Sequence, residues 1–138
     1  MTATRLTIMG VCMLLAAPAL ANEARETILQ EYLGAAKSAD PAFQSFSAAR
    51  GETLFRDSHT GGKPDTPSCT TCHGAAPQKM GRTRAGKDID PIAVSAAPKR
   101  FTDPAEVEKW FGRNCNSVLG RECTPAEKGD FITFMMGQ

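Results

Sequence analysis

The chain has 138 residues, with 16 basic and 15 acidic side chains and a formal net charge of +1. This balance argues against nucleic acid or an anionic membrane surface as a partner, because both require a strongly basic surface. The length fits one small domain, which buries about two-thirds of its unfolded surface and gains from a covalent staple or a cofactor.

The first 21 residues have the order of a secretory signal peptide. Arg5 precedes an apolar run that ends at Ala19-Leu20-Ala21, a typical A-x-A cleavage site. The run is short for a membrane span, and Cys12 lies inside it rather than at its end, which argues against a lipoprotein. We expect residues 1–21 to be removed, leaving a periplasmic chain without a membrane span and with 15 basic and 15 acidic residues.

Two amphipathic helices are predicted next, over residues 23–38 and 45–58. We therefore divide the rest of the chain into an N-terminal helical extension, 22–44, and a main domain, 45–138. The expected core residues of the two helices are Ile28, Leu29, Tyr32, Leu33, Phe46, Ala49, Leu54 and Phe55.

The stretch "SCTTCHG", residues 68–74, carries the attachment motif of c-type haem, C-x-x-C-H. Two thiols at this spacing reach the two vinyl groups on one edge of the porphyrin. The next residue, His73, then becomes the proximal ligand of the iron. The sequence predicts one haem c, bound covalently through Cys69 and Cys72.

Cys115 and Cys123 are not needed for haem attachment. Export to an oxidising compartment predicts a disulfide between them. A structural zinc site built from all four cysteines is an alternative, but the C-x7-C spacing of the second pair is unusual for zinc. A thioredoxin-like redox motif is another, but no βαβ pattern surrounds Cys69 and Cys72.

The remaining elements are a long loop and two helices. Residues 74–100 are predicted to be a loop with at most one short helical turn. Thr102 or Asp103 is the expected N-cap of the next helix, and Thr124 with Glu127 predicts a capping box for the last one. Because no β-type alternation is present, we predict an all-α fold.

The residues leave the second axial ligand of the iron open. Met80 follows His73 too closely to reach the opposite face easily, and Met135 and Met136 are interpreted as core. His59 is interpreted as an exposed loop residue, with iron ligation or a hydrogen bond near the haem edge as alternatives. Asn114 and Asn116 could each offer a weak carboxamide oxygen.

Several sequence blocks match known cytochromes. Gly51 and Phe55 in "GETLF" resemble the helix-crossing pattern of class I cytochromes c. The blocks "GGKPDTPSCTTCHG" and "RFTDPAEVEKWFGRNCNSVLGRECTPAEK" closely resemble the sphaeroides haem protein family of monohaem cytochromes c, over about residues 45–138. One departure is Val94, where the family pattern leads us to expect proline, and residues 22–44 are poorly covered.

The resemblance implies a class I cytochrome c fold with a high-spin haem, Asn114 as distal ligand and a Cys115–Cys123 disulfide. It also implies that the asparagine leaves on reduction, and that the open haem then binds diatomics such as oxygen, nitric oxide and carbon monoxide. The implied electron donor is a dihaem cytochrome c, often beside a membrane cytochrome b. A related group, in which a distal histidine is released on reduction, keeps His59 open as a ligand.

We therefore expect electron transfer with redox-gated binding of oxygen or nitric oxide, and reduction of the bound molecule stays open because no catalytic residue is assigned. A conventional six-coordinate electron carrier and a zinc-stapled structural module are the alternatives. Trp110, one helical turn before Asn114, is interpreted as a core residue or a wall of the haem pocket. Candidates to neutralise the haem propionates, each equally a surface charge, are Arg82, Arg84, Lys87, Arg100 and Arg113.

Overall fold

The computed structural model describes residues 16–138, which form five helices and one short hairpin. Within that range no helix is both long and apolar enough to cross a membrane. The all-α prediction is confirmed. In chain order the elements are α1 (Ala16–Ala39), α2 (Ala48–Arg56), α3 (Thr70–His73), β1 (Gly81–Arg82), β2 (Asp88–Ile89), α4 (Pro104–Val118) and α5 (Pro125–Met136).

The predicted signal peptide is only partly within the described residues. Cys12 and the rest of residues 1–15 lie outside them, while α1 begins at Ala16 and continues through the predicted cleavage site after Ala21. Its buried residues match the expected face: Ile28, Leu29 and Tyr32 are buried. Leu33 is only half-buried, and this face of α1 packs against α5.

The crossing of α2 and α5 forms the centre of the fold. A side chain on Gly51 would overlap the backbone carbonyl of Asp130, so only glycine lets the two helices approach this closely. Phe55, four residues later, is fully buried and packs against the rings of Phe131 and Phe134 at 6.1 and 5.9 Å. The glycine–aromatic crossing predicted from "GETLF" is therefore confirmed.

Ala49 is exposed, so its predicted place in the core is wrong. The α5-facing side of α2 passes through Gly51 and Phe55, and a residue two positions before Gly51 points about 200° away from it. Leu54 and Phe46 are half-buried, with Phe46 packed against the core.

Residues 74–100 contain a feature that the loop prediction missed. Strands β1 and β2 pair antiparallel, with Gly81 opposite Ile89 and Arg82 opposite Asp88. Thr83 closes the turn, because its backbone N–H donates to the Lys87 carbonyl at 2.7 Å and its side-chain oxygen accepts from the Lys87 N–H at 3.0 Å. Two residues per strand are too few to produce a readable alternation pattern.

Both late helices begin as predicted. The Asp103 side chain caps α4 by accepting from the backbone N–H groups of Ala105 and Glu106. Thr124 and Glu127 form the complete capping box of α5. α4 extends to Val118, so Asn114 and Cys115 lie within the helix rather than in the loop that follows it.

One side chain ties the N-terminal helix to the loop before α4. The Arg25 guanidinium is buried and donates to the Pro98 carbonyl at 2.8 Å and to the Arg100 carbonyl at 3.1 and 3.2 Å. Phe101 follows with φ 60°, a strained conformation for a bulky residue. We call this arrangement the Arg25 clamp, and it holds the loop in that conformation.

Candidate haem site

The proximal side of the site is one turn of helix. The Ser68 hydroxyl donates to the Phe55 carbonyl at 3.2 Å and accepts from the Thr70 backbone N–H at 3.2 Å, which anchors the motif to α2. The His73 backbone N–H donates to the Cys69 carbonyl at 3.1 Å. Both thiols and the imidazole of the attachment motif therefore come from a single anchored turn.

These side chains suit a haem. Cys69 and Cys72 are half-buried free thiols, and burial raises the pKa of Cys69 to about 11. Burial, together with the charge of Arg100, lowers the pKa of His73, which favours the neutral imidazole that a metal ligand requires. The His73 Nδ1 atom is buried without a hydrogen-bond partner in the described part of the chain.

Helix α4 presents the predicted distal residues. Asn114 and Trp110 lie one turn apart on the same face, and both are exposed. The interpretation of Trp110 as core is wrong, since it is 45% exposed. Its indole N–H donates to Glu106 at 2.9 Å, and the cationic groups of Lys109 and Arg113 each lie 5.4 Å from its ring.

The carboxamides of the two candidate asparagines differ in their contacts. Asn116 donates its amide to the Gly112 carbonyl at 2.6 Å, so it is engaged along its own helix. Asn114 forms no side-chain hydrogen bond with any residue between 16 and 138. Its carboxamide is therefore the one available to a further group.

Cys115 and Cys123 form a disulfide with their Cα atoms 5.6 Å apart, and both are buried in the hydrophobic core. The predicted disulfide is present. Because these two sulfurs are bonded to each other, they are not available as thiolate ligands for the alternative zinc site. The bond joins the end of α4, immediately after Asn114, to the start of α5.

The other candidate ligands have different surroundings. His59 is half-buried, so its interpretation as an exposed residue is wrong. Its Nε2 atom lies 3.0 Å from the Leu54 carbonyl, and the Cys69 thiol lies 3.9 Å from the same oxygen. Met135 is fully buried and Met136 packs against the core, so the core interpretation of both is confirmed. Met80 is 55% exposed beside β1.

The candidates to neutralise the haem propionates differ in the contacts that they already make. Arg82 pairs with Asp88 at 3.2 Å and Arg84 pairs with Asp65, both on the exposed surface. Arg100 donates to the carbonyls of Asp90 and Pro91, and its charge acts on His73. Arg113 stacks on Trp110, and Lys87 is exposed on the hairpin turn.

Two structural contacts around the site were not visible in the sequence. The Arg25 clamp was missed because an arginine in an amphipathic helix usually indicates a solvent-facing position. The hydrogen bond from the Thr66 hydroxyl to the Ser117 carbonyl, at 3.1 Å, was missed as well. The available signal was the Gly61-Gly62 pair, a few residues earlier, because paired glycines are typical of a close backbone contact. Val94, the departure from the family pattern, donates its backbone N–H to the Met135 carbonyl at 3.0 Å, a bond that proline could not form.

Comparisons with known proteins place the chain among cytochromes c. Residues 41–135 match a family described as a domain of unknown function, DUF1924. The chain is 56% identical over 124 residues to the cytochrome c-type protein SHP of Cereibacter sphaeroides, covering 90% of this chain and 92% of SHP. The structure of oxidised SHP, described as an oxygen-binding cytochrome c, aligns with a TM-score of 0.76 at 53% identity, over 83% of this chain and 96% of SHP.

A more distant relative is cytochrome c'' of Methylophilus methylotrophus, 33% identical over 135 residues, covering 96% of this chain and 92% of the relative. Its solution structure, described as giving insight into haem-ligand detachment, aligns with a TM-score of 0.71 at 32% identity, over 84% of this chain and 94% of that one. Both relatives are c-type cytochromes. The chain therefore belongs to the SHP (sphaeroides haem protein) family and is an all-α cytochrome c with one covalently bound haem.

Proposed function

We propose that this protein is an exported, periplasmic cytochrome that transfers electrons and binds oxygen or nitric oxide when reduced, with Asn114 as a weak distal ligand. SHP is described as oxygen binding, and the cytochrome c'' structure concerns detachment of a haem ligand. When bound, the haem supplies a one-electron iron centre that can hold an exchangeable ligand. Cys69 and Cys72 would attach it covalently, and His73 would ligate its iron.

The observation that carries the proposal is the state of the Asn114 side chain. It is exposed, unbonded within the described residues, and placed on α4 next to a buried disulfide cysteine. A carboxamide oxygen is a neutral, hard donor, which binds ferrous iron more weakly than an imidazole or a thioether. Asn114 can therefore serve as a ligand that is readily displaced.

The disulfide determines how such a displacement would occur. Cys115 is buried and covalently tied to Cys123, so the main chain at Asn114 is held in place. Withdrawal of the carboxamide then needs only rotation about the side-chain bonds of Asn114, not movement of α4. This favours reversible release over partial unfolding of the distal side.

Replacing Asn114 tests the proposal, and Asn116 provides the matched control on the same helix. We expect Asn114→Ala to retain haem but change the ferric absorption spectrum, whereas Asn116→Ala keeps the wild-type spectrum. Asn114→His, which supplies a stronger ligand, should give a low-spin spectrum and weaken carbon monoxide binding to the reduced protein. An unchanged ferric spectrum in Asn114→Ala would assign the ligand to another residue. A wild-type protein that is low-spin and does not bind carbon monoxide when reduced would indicate a conventional electron carrier.

The electron donor that we propose is a dihaem cytochrome c, on the likeness to the SHP family alone. Mixing the oxidised protein with a reduced dihaem cytochrome in a stopped-flow spectrometer tests this partner. Rapid reduction that slows at high ionic strength would support a specific encounter. Reduction no faster than with a small-molecule reductant of equal potential would argue against it.

A further inference from the structure

The loop before the haem motif is bonded to the end of α4. The Ser117 carbonyl accepts a hydrogen bond from the Lys63 backbone N–H at 2.8 Å and another from the Thr66 hydroxyl at 3.1 Å. The hydroxyls of Thr66 and Ser117 are also 3.2 Å apart, and Thr66 is buried. We call the contact of residues 61–66 with residues 117–120 the seam. It satisfies a carbonyl in the last turn of α4, where intrahelical partners run out.

The two sides of the seam touch backbone to backbone. A side chain on Gly61 would overlap the Leu119 carbonyl, and one on Gly62 would overlap the Ser117 carbonyl. On the opposite side, Gly120 has φ 69°, and a side chain there would overlap the Gly61 carbonyl. Main-chain contact therefore sets the closest approach of the two segments, while the hydrogen bonds to the Ser117 carbonyl keep them from separating.

The seam lies midway between the two ends of the site. Thr66 precedes the attachment cysteine Cys69 by three residues, and Ser117 follows Asn114 by three residues. The pair thus forms a short bridge from the covalent haem attachment to the distal asparagine. The disulfide holds the same end of α4 from the side of α5, so the seam adds a second, independent restraint.

We propose that the seam is a positioning device, in which Thr66 sets the distance between the Asn114 carboxamide and the haem. This inference rests on the proposed role of Asn114 as a weak ligand. A small displacement of the Asn114 carboxamide weakens its bond to the iron, which is already weak. The hydrogen bonds of Thr66 therefore control how easily another ligand displaces Asn114.

The test is Thr66→Val in the haem-loaded protein, with Thr66→Ser as the conservative rescue. Valine keeps the shape but removes the hydroxyl, which donates to the Ser117 carbonyl. We expect the dissociation constant of added imidazole for the ferric protein to fall about fivefold, the equivalent of one ordinary hydrogen bond. Thr66→Ser should restore the wild-type value. Thr27→Val, which loses a hydroxyl bonded only within α1, is the matched control and should change nothing.

A double-variant cycle separates this proposal from the one on which it rests. In the Asn114→Ala background, Thr66→Val should no longer affect imidazole binding, because the positioned ligand is gone. An equal effect in both backgrounds would refute action through Asn114. If Thr66→Val has no effect in either background while Asn114→Ala itself tightens imidazole binding, the positioning role of the seam is refuted and the assignment of Asn114 as ligand stands. If Asn114→Ala leaves imidazole binding unchanged, both proposals fail.

A milder variant covers the case in which Thr66→Val does not fold with haem. Ser117→Ala removes only the hydroxyl-to-hydroxyl contact and keeps both bonds to the backbone carbonyl. We expect it to lower the imidazole dissociation constant about twofold. Imidazole binding equal to that of the wild type would then overturn the proposal.

Discussion

The Cys115–Cys123 disulfide gives the most quantitative prediction. Replacing both cysteines with alanine removes the bond without placing a hydroxyl in the core, where both residues are buried. The closed loop holds nine residues, 115 through 123, and the chain-entropy model assigns such a loop about 2.6 kcal/mol of stabilisation. With an unfolding entropy of about 2.1 cal/mol/K per residue, this corresponds to a fall of about 10 °C in Tm.

Thermal unfolding followed by circular dichroism in the haem region and the far ultraviolet measures this change. The wild-type protein under reducing conditions, in which the disulfide opens without any substitution, should approach the Tm of the double variant. A fall of less than about 2 °C would refute the entropic reasoning, because it would mean that the unfolded chain is not restrained by this loop. An increase in imidazole affinity alongside the lower Tm is expected if the disulfide holds Asn114.

Two other predictions concern stability. Arg25→Met removes the three hydrogen bonds of the Arg25 clamp. We expect it to lower the free energy of unfolding by about 1–2 kcal/mol and to speed tryptic cleavage after Lys99. Lys37→Met, on the same helix, is the control, and equal cleavage rates in the two variants would contradict the clamp. For Glu127, hydrogen bonding from Arg121 lowers its pKa in the folded state. The stabilisation is therefore complete above its unfolded pKa of about 4.3 and is lost as pH falls through the lower folded value. Glu127→Gln should be less stable than the wild type at pH 7. Urea unfolding at a series of pH values should show this difference in stability vanishing by about pH 3. A difference that stays constant with pH would show that the charge of Glu127 is not the source of the stabilisation.

Local sequence signals account for the helices and for the residues of the haem site. The caps at Asp103 and Thr124 could be predicted because a cap depends only on residues three positions apart. The attachment motif of Cys69, Cys72 and His73 is equally local, since all three lie within one helical turn. The glycine–aromatic pattern of Gly51 and Phe55 also identified the helix crossing, because a glycine at such a contact leaves a recognisable spacing.

Contacts between distant segments were decided only by the tertiary structure. The Arg25 clamp joins residues 75 positions apart, and the pairing of Thr66 with Ser117 spans 51 positions. No periodic pattern encodes such pairs, because each depends on how whole helices pack. The same reason explains the errors at Ala49 and Trp110: the composition of a helix indicates that one face is buried, but packing decides which residues lie at its edge. The sequence alone therefore determined that a c-type haem attachment motif lies at residues 69–73, because the motif is local, whereas the fold decided which asparagine on α4 keeps an unbonded carboxamide.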